Sequence, residues 1–305
     1  MIDLNDLHLE SRIPVSTTPG GKPPWLKVKL AGGTSYEHLR RRVNELKLHT
    51  VCQEARCPNI GECWGVGTAT IMILGDVCTR GCRFCAVKTG SPRGVVDIEE
   101  PQRVAAAVAE LDWRYLVLTA VDRDDLADGG ASIFAETVRE IHARSPHAKV
   151  ECLTGDFAGD LAALDILLAA QPEVFAHNLE TVERLQRRVR DLRANFTQSL
   201  AVLAHAKKSG LVTYTKTSIM LGLGETDEEI YATMDAARSV GVDIFTMGQY
   251  LQPTPRHLPV EAFITPQHFA ALREAGVARG FRQVVASPLS RSSYHAEEAF
   301  VETVP

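Results

Sequence analysis

Three cysteines in the stretch CTRGCRFC, Cys78, Cys82 and Cys85, stand at spacings of x3 and x2. Thiolates are soft ligands that select zinc, copper(I) or iron–sulfur clusters. A structural zinc site takes four ligands, commonly from paired C-x2-4-C knuckles, and this trio offers neither the pairing nor the fourth ligand. A [4Fe–4S] cube held by three cysteines leaves one iron open, and an open position separates a chemical site from a structural one. A second trio, Cys52-x4-Cys57-x5-Cys63, lies just upstream and is also one ligand short. Alone it reads as a zinc site completed by His49 or Glu62; beside the first trio, a second iron–sulfur cluster is more economical. The seventh cysteine, Cys152, lies in the apolar run KVECLTG and reads as a small buried strand residue. Six cysteines crowded between positions 52 and 85, with an odd total and no export signal, argue for metal binding rather than a disulfide framework.

The elements that position these thiols are legible as alternating runs. Strands are expected at TIMILG (70–75), YLVLTA (115–120), KVECLT (149–154), EVFAHN (173–178), LVTYTKTSIML (211–221) and DIFTMGQYL (243–251). Helical periods fall between them, at Val104, Val108 and Leu111 and at Leu161, Leu164 and Leu168. TDEEIYATMDAARSVG carries Thr226 as N-cap with Glu229 three residues on. An earlier helix is expected in SYEHLRRRVNELKL, where Leu39, Val43 and Leu46 share a face. Six β-then-α units, with a late strand at QVVASP, predict a partial (β/α)6 TIM-type barrel with N-terminal and C-terminal extensions. Its parts are an N-terminal arm and second-trio segment (1–66), a barrel core (67–288) and a tail (289–305), forming one compact unit. In such folds sites gather on the loops after the strand C-termini, and the first trio follows the first strand directly.

The bulk composition is that of an ordinary globular chain of 305 residues, 45% hydrophobic and 23% charged, with a net charge of -5. The balance gives no case for nucleic-acid binding, and no run is long enough for a membrane span. The acidic start MIDLNDLHLESR resembles neither a secretory signal nor a transit peptide, so the default expectation is a cytoplasmic location. The ten histidines show no metal-pair spacing, and His177, ending an apolar strand, reads as a satisfied core residue.

The C-x3-C-x2-C spacing, with Phe84 before the last cysteine, resembles the signature of the radical S-adenosylmethionine (radical SAM) superfamily. The wider pattern is similar to the lipoyl synthase family over essentially the whole chain. The matching stretches are KPPWLK, HTVCQEARCPNIGECW, CTRGCRFC, VDRDDLADGGA, AHNLETV, GLGET, GQYLQPT and SPLSRSSYHA. The resemblance implies that Cys78, Cys82 and Cys85 hold a [4Fe–4S] cluster whose open iron binds SAM, which is split to a 5′-deoxyadenosyl radical. It implies that Cys52, Cys57 and Cys63 hold an auxiliary [4Fe–4S] cluster completed by Ser293, or by its neighbour Ser292 one register away. The reaction implied is sulfur insertion at C6 and C8 of a protein-bound octanoyl-lysine. The auxiliary cluster would donate both sulfurs, and two SAM molecules would be used per product. Implied partners are octanoylated lipoyl carriers (glycine cleavage H protein, 2-oxoacid dehydrogenase E2 lipoyl domains), an electron donor such as flavodoxin or ferredoxin, and an iron–sulfur carrier.

Further SAM contacts are expected from Gly129 and Gly130 in DGG, and from Asn178 and Glu180 after the fourth strand. The ordinary readings are a loop turn and a helix start. Gly222 and Gly224 resemble a weak Gly-rich turn near the SAM adenosine, and Ser218 stands where the family pattern leads one to expect glycine. Arg184, Arg187, Arg188, Arg190 and Arg193 read as a solvated helical face or as a docking surface for an acidic carrier.

Overall fold

The computed structural model describes residues 12–14, 21–28, 32–46, 48–54, 57, 59–65, 70–293, 296, 297 and 300. In chain order, β1 (Arg12–Pro14) precedes α1 (Thr34–Glu45), β2 (His49–Thr50), α2 (Val51–Glu54) and α3 (Ile60–Gly65). The β/α series then opens with β3 (Thr70–Ile73). In the loop after it β4 (Val77–Cys78) and β5 (Lys88–Thr89) pair, and α4 (Glu100–Glu110) returns the chain. β6 (Tyr115–Ala120), α5 (Ala131–Arg144), β7 (Lys149–Leu153), α6 (Leu161–Leu168) and β8 (Val174–Ala176) follow. Next come α7 (Gln186–Val189), α8 (Phe196–Ser209), β9 (Tyr214–Leu221), α9 (Asp227–Ser239) and β10 (Ile244–Gln249). β11 (Ala262–Ile264), α10 (Pro266–Ala278) and β12 (Gln283–Ser287) complete the series.

The main sheet has the order β12-β10-β9-β8-β7-β6-β3-β2. Its strands run parallel except β2, which lies antiparallel to β3. The six expected β/α units are present, and QVVAS adds a further parallel strand. Strands covered on both faces read as continuous apolar runs rather than alternating ones; TIMI of β3 is buried throughout and YLVLTA of β6 nearly so. The sheet keeps two distinct edges, β2 and β12, so the barrel is partial.

Helices pack on the outside for the reasons their sequences give. Leu39 and Val43 on α1 are buried, as is the Val104–Val108 face of α4. Thr226 and Glu229 form a reciprocal capping box at the start of α9, satisfying two backbone donors that a helix start leaves orphaned. Where the arm is described it lies on the core. β1 pairs antiparallel with β11, and Leu26 is buried in a short turn. The rest of the arm, and Tyr294 and His295 of the RSSYHA stretch, fall outside the described residues. Among the described residues no helix is long and apolar enough to cross a membrane.

The arginine run departs from the expected continuous helical face. It breaks into a 3-10 turn (Glu183–Leu185) and the single-turn α7, after which Arg190 is extended. Arg190 is buried, donating to Ser199 Oγ (2.8 Å) and Gln186 Oε1 (3.1 Å). Arg184 pairs with Glu229, Arg188 with Glu261 and Arg193 with Asp191. Their charges are largely matched within the molecule, which weakens the docking reading.

Candidate active site

The first trio sits where a parallel β/α fold places chemistry, in the loop that leaves the C-terminal end of β3. Backbone bonds shape that loop: Cys85 N donates to Cys82 O (3.1 Å) and Gly90 N to Cys78 O (2.9 Å). Cys78, Cys82 and Cys85 line a cavity of about 230 Å3. Two backbone amides already point at the sulfurs, Arg80 N at Cys78 Sγ (3.4 Å) and Asp191 N at Cys82 Sγ (3.3 Å). Such donors favour thiolate over thiol and tune a bound cluster. Burial acts the other way, pushing Cys82 up to about 12 and Cys85 up to about 11. Free of metal the thiols therefore keep their protons at neutral pH, and ligation must displace them. His257 fixes the far side of the loop, its Nε2 bonded to Cys85 O (2.9 Å) and its Nδ1 to Thr254 (2.8 Å).

A charged network that motif reading did not single out surrounds these thiols. Arg80, inside the cysteine loop, is buried and reaches Asp124 and Asp156, each at 2.7 Å. Asp122, just past β6, lies 4.0 Å from Cys78 Sγ and 3.6 Å from Arg80. Burial, reinforced by Asp156 and Asp124 against the pull of Arg80, raises Asp122 to about 6. The cavity wall carries three acids, Asp122, Asp156 and Glu180, against two arginines, Arg80 and Arg190. His177 is also on the wall. It bonds Thr154 O (2.9 Å) and Ser199 Oγ (2.8 Å), and burial with Arg190 lowers it to about 4. The satisfied-core reading of His177 is right, and it contributes no charge at neutral pH. The wall thus suits a ligand with surplus positive charge. A signal existed for these residues: Asp122 and Asp156 are polar positions shortly past strands buried on both faces.

The expected SAM-contact residues divide between two environments. Asn178 and Glu180 line the cavity; Asn178 Nδ2 donates to Glu180 Oε1 (3.2 Å), and burial raises the Glu180 carboxyl. Glu180 is held at a positive φ of 67°, with its N–H on Ser218 O (3.0 Å). Strain of that kind in a non-glycine residue collects at functional sites. Gly130 lies beneath the site instead. At φ 90° it starts α5, and a Cβ there would fall 2.3 Å from Leu74 Cδ1. Gly129 lines a small adjoining void of about 10 Å3 beside Arg80 and Asp122. Asp128 caps α5 by accepting from Gly130 N and Ser132 N. In the GLGE turn, the N–H groups of Gly222 and Leu223 are already bonded to Glu225.

The second trio lies at the sheet edge. Cys52 is buried on α2, Cys57 follows it with its N–H on Cys52 O (3.1 Å), and Cys63 is on α3. Burial, then the neighbouring Cys52 and Cys57, push Cys63 up to about 12, so the three are within electrostatic range of one another. Val51, adjoining Cys52, lines the same cavity as the first trio. The loop after β12 reaches this segment from the opposite edge: Asn59 Nδ2 donates to Leu289 O (2.7 Å), and Arg291 acts on the Cys57 thiol. Curvature of the partial barrel therefore brings the β2 and β12 edges together at the second trio. Ser292 donates to Asn178 Oδ1 (3.0 Å), tying that loop to the cavity wall, while Ser293 makes no hydrogen bond to any described residue.

Among the described residues no three His, Cys, Asp or Glu side chains converge on one point closely enough to hold a single metal ion. A cluster of several irons spreads its thiolates wider than one tetrahedral ion does, with its Zn–S bonds of about 2.3 Å. All seven cysteines are free thiols. The donor chemistry of both trios therefore fits iron–sulfur clusters, and the acid-rich wall fits the sulfonium and ammonium groups of SAM.

A partial barrel with three thiols in its first loop is the architecture of the radical SAM superfamily, whose model matches residues 72–237. A model of the N-terminal domain of lipoyl synthase of that family matches residues 16–57. The chain is 59% identical to the lipoyl synthase of Thermus thermophilus, over 92% of this chain and 87% of the relative. It is 51% identical to that of Deinococcus radiodurans, over 98% and 89%. It is 54% identical to the mitochondrial lipoyl synthase of Rattus norvegicus, over 92% and 77%. The chain belongs to the lipoyl synthase family, and with that family come [4Fe–4S] clusters and SAM as cofactors. The fold is also that of methylornithine synthase (TM-score 0.54, 16% identity, 73% of this chain and 72% of that one). It is shared with the hydrogenase maturase HydG of Carboxydothermus hydrogenoformans (TM-score 0.56, 15% identity, 88% and 60%).

Proposed function

We propose that this chain makes the lipoyl group, inserting sulfur at C6 and C8 of an octanoyl chain carried on a lysine of a lipoyl carrier protein. The observation that carries this reading is the cavity that Cys78, Cys82 and Cys85 line, whose wall also includes Val51, the residue next to Cys52 of the second trio. A cluster held by Cys78, Cys82 and Cys85 would, with SAM, supply the radical chemistry of this family, and one held by Cys52, Cys57 and Cys63 would supply the sulfur.

The residues of this chain do the positioning. Cys78, Cys82 and Cys85 would hold the first cluster, and Cys52, Cys57 and Cys63 with Ser293 the second. Ser293 is the better candidate than Ser292, whose hydroxyl is already engaged by Asn178. Asn178 and Glu180 face the cavity and suit the polar groups of SAM; Gly129 borders the adjoining void, while Gly130 acts from beneath by leaving room for Leu74. Asp122 is an unforeseen addition to that set: its half-buried carboxylate on the cavity wall would gain a second cation, beside Arg80, from a sulfonium ligand. The arm with the second trio (1–66), the core (67–288) and the tail (289–305) work as one unit, since core and tail meet through Gly248 and Ser290.

The glycine cleavage H protein and the E2 lipoyl domains are the natural carriers for this chemistry, in a cytoplasmic setting. Flavodoxin or ferredoxin would supply electrons, and an iron–sulfur carrier would rebuild the spent cluster. The test is anaerobic reconstitution followed by incubation with SAM, reductant and an octanoyl-lysine peptide, read by mass spectrometry. The expected result is a product with two added sulfurs from a chain holding about eight irons. SAM cleavage with no sulfur in the peptide would overturn the assignment.

A further inference from the structure

Arg291 has no anionic partner among the described residues; its Nη1 donates to the adjacent Ser290 O (2.6 Å). The guanidinium is half-buried, and Cys57 of the second trio is the ionisable group that acts on it. A guanidinium partly removed from water with no counter-charge is costly, and such charges are ordinarily matched.

The surroundings hold it in place. Gln249 N donates to Pro288 O (3.3 Å), Ser290 N to Ser287 O (3.1 Å), and the hydroxyls of Ser287 and Ser290 bond at 2.8 Å. Asn59 Nδ2 grips Leu289 O at 2.7 Å from the second-trio segment. Gly248, on β10, leaves the room this packing needs: a Cβ there would lie 2.0 Å from Ser290 O and 3.2 Å from Arg291 Nη1. The loop is thus fastened on both sides, with the guanidinium next to the second trio.

We propose that Arg291 is a positioning residue for the second cluster, supplying the half-buried counter-charge and guanidinium donors that hold its anionic ligand set together. A four-iron cluster with three thiolates and a serine oxygen carries net negative charge, and Arg291 places a cation beside that ligand set. Hydrogen bonds and charge near the sulfurs set both affinity and potential of such a cluster. Arginine suits the place because its fork of donors stays charged even when partly desolvated. This inference rests on the assignment of Cys52, Cys57 and Cys63 to the second cluster, and the experiment separates the two.

The experiment uses the full chain with Cys78, Cys82 and Cys85 replaced by Ala, so that iron reports the second site alone at about four per chain. Adding R291Q should shorten the half-life of the reconstituted cluster under EDTA by about tenfold to a hundredfold, the usual cost of removing an outer partner of a metal ligand. Its midpoint potential should move negative, and R291K, which keeps the charge, should recover most of both properties. Thermal unfolding of the metal-free chain should be unchanged or raised by R291Q, since an uncompensated charge has been removed. Equal destabilisation of metal-free and loaded chains would mean a merely structural role and would overturn the inference. So would R291Q with an unaltered half-life and potential. If C57A in the same background keeps its four irons, the cluster assignment itself falls, independently of Arg291.

Discussion

Ser292 and Ser293 are neighbours with different commitments, and that difference can be measured. Ser292 holds Asn178 on the cavity wall, whereas Ser293 is uncommitted among the described residues. S293A is therefore expected to alter the iron spectrum of the second cluster and to abolish sulfur insertion. S292A should leave that spectrum in place and weaken SAM binding through the loosened Asn178. Mössbauer spectra of the two variants check this, and the reverse pattern would move the ligand to Ser292. A pH prediction attaches to His177. Its pKa of about 4, lowered by burial first and Arg190 next, lies below the ordinary value near 6.5. The unfolded chain takes up a proton first as pH falls, so the stability due to neutral His177 is complete above about pH 6.5 and drains away towards pH 4. H177Q should flatten the fall of Tm across that window in thermal scans, if the glutamine preserves the bonds to Thr154 and Ser199. The six cysteines were legible because their spacing is local. Asp122, Arg80 and Arg291 were not, because their importance comes from burial and from partners distant in sequence.

At the level of elements, the parallel strands and the α9 capping box could be read from apolar runs and one four-residue motif. T226A should cost about 1 kcal/mol of stability, the usual value of an N-cap, with little effect on iron content; urea unfolding of the variant measures it. The edge pairings were hidden. β2 is two residues long and antiparallel, and β1 with β11 forms a separate ladder, so neither carries a period a sequence can show. The arginine run misled for a similar reason: helical spacing was present, but Arg190 turns inward to Ser199 and the helix stops after one turn. Gly248 is the element-scale counterpart of Arg291. G248A places a methyl 2.0 Å from Ser290 O, so the loop after β12 must shift. The expected outcome is loss of about four irons from the loaded chain, the second cluster's share, with the first cluster retained. Iron counting with the EPR signal of the remaining cluster checks it.

For the whole molecule, the open barrel explains how two incomplete ligand sets become one machine. The first trio stands on the loop after β3, inside the sheet, and opens onto the cavity. The second stands at the β2 edge and is reached by the loop from the β12 edge, a meeting that needs the entire sheet between them. Alternating β and α runs made the barrel legible, yet the contact of its two edges is a property of curvature and closure and is written in no single segment. This arrangement brings the segment of the second trio to the cavity of the first through Val51, and the claim that the protein's own cluster is the sulfur source can be tested directly. The chain is reconstituted with heavy-isotope sulfide, freed of unbound sulfide, and given SAM, reductant and octanoyl-lysine peptide for a single turnover. The account predicts a lipoyl product in which both sulfurs carry the heavy isotope, and none at all from a C52A/C57A/C63A chain. Product with light sulfur, or any product from that triple variant, would contradict it.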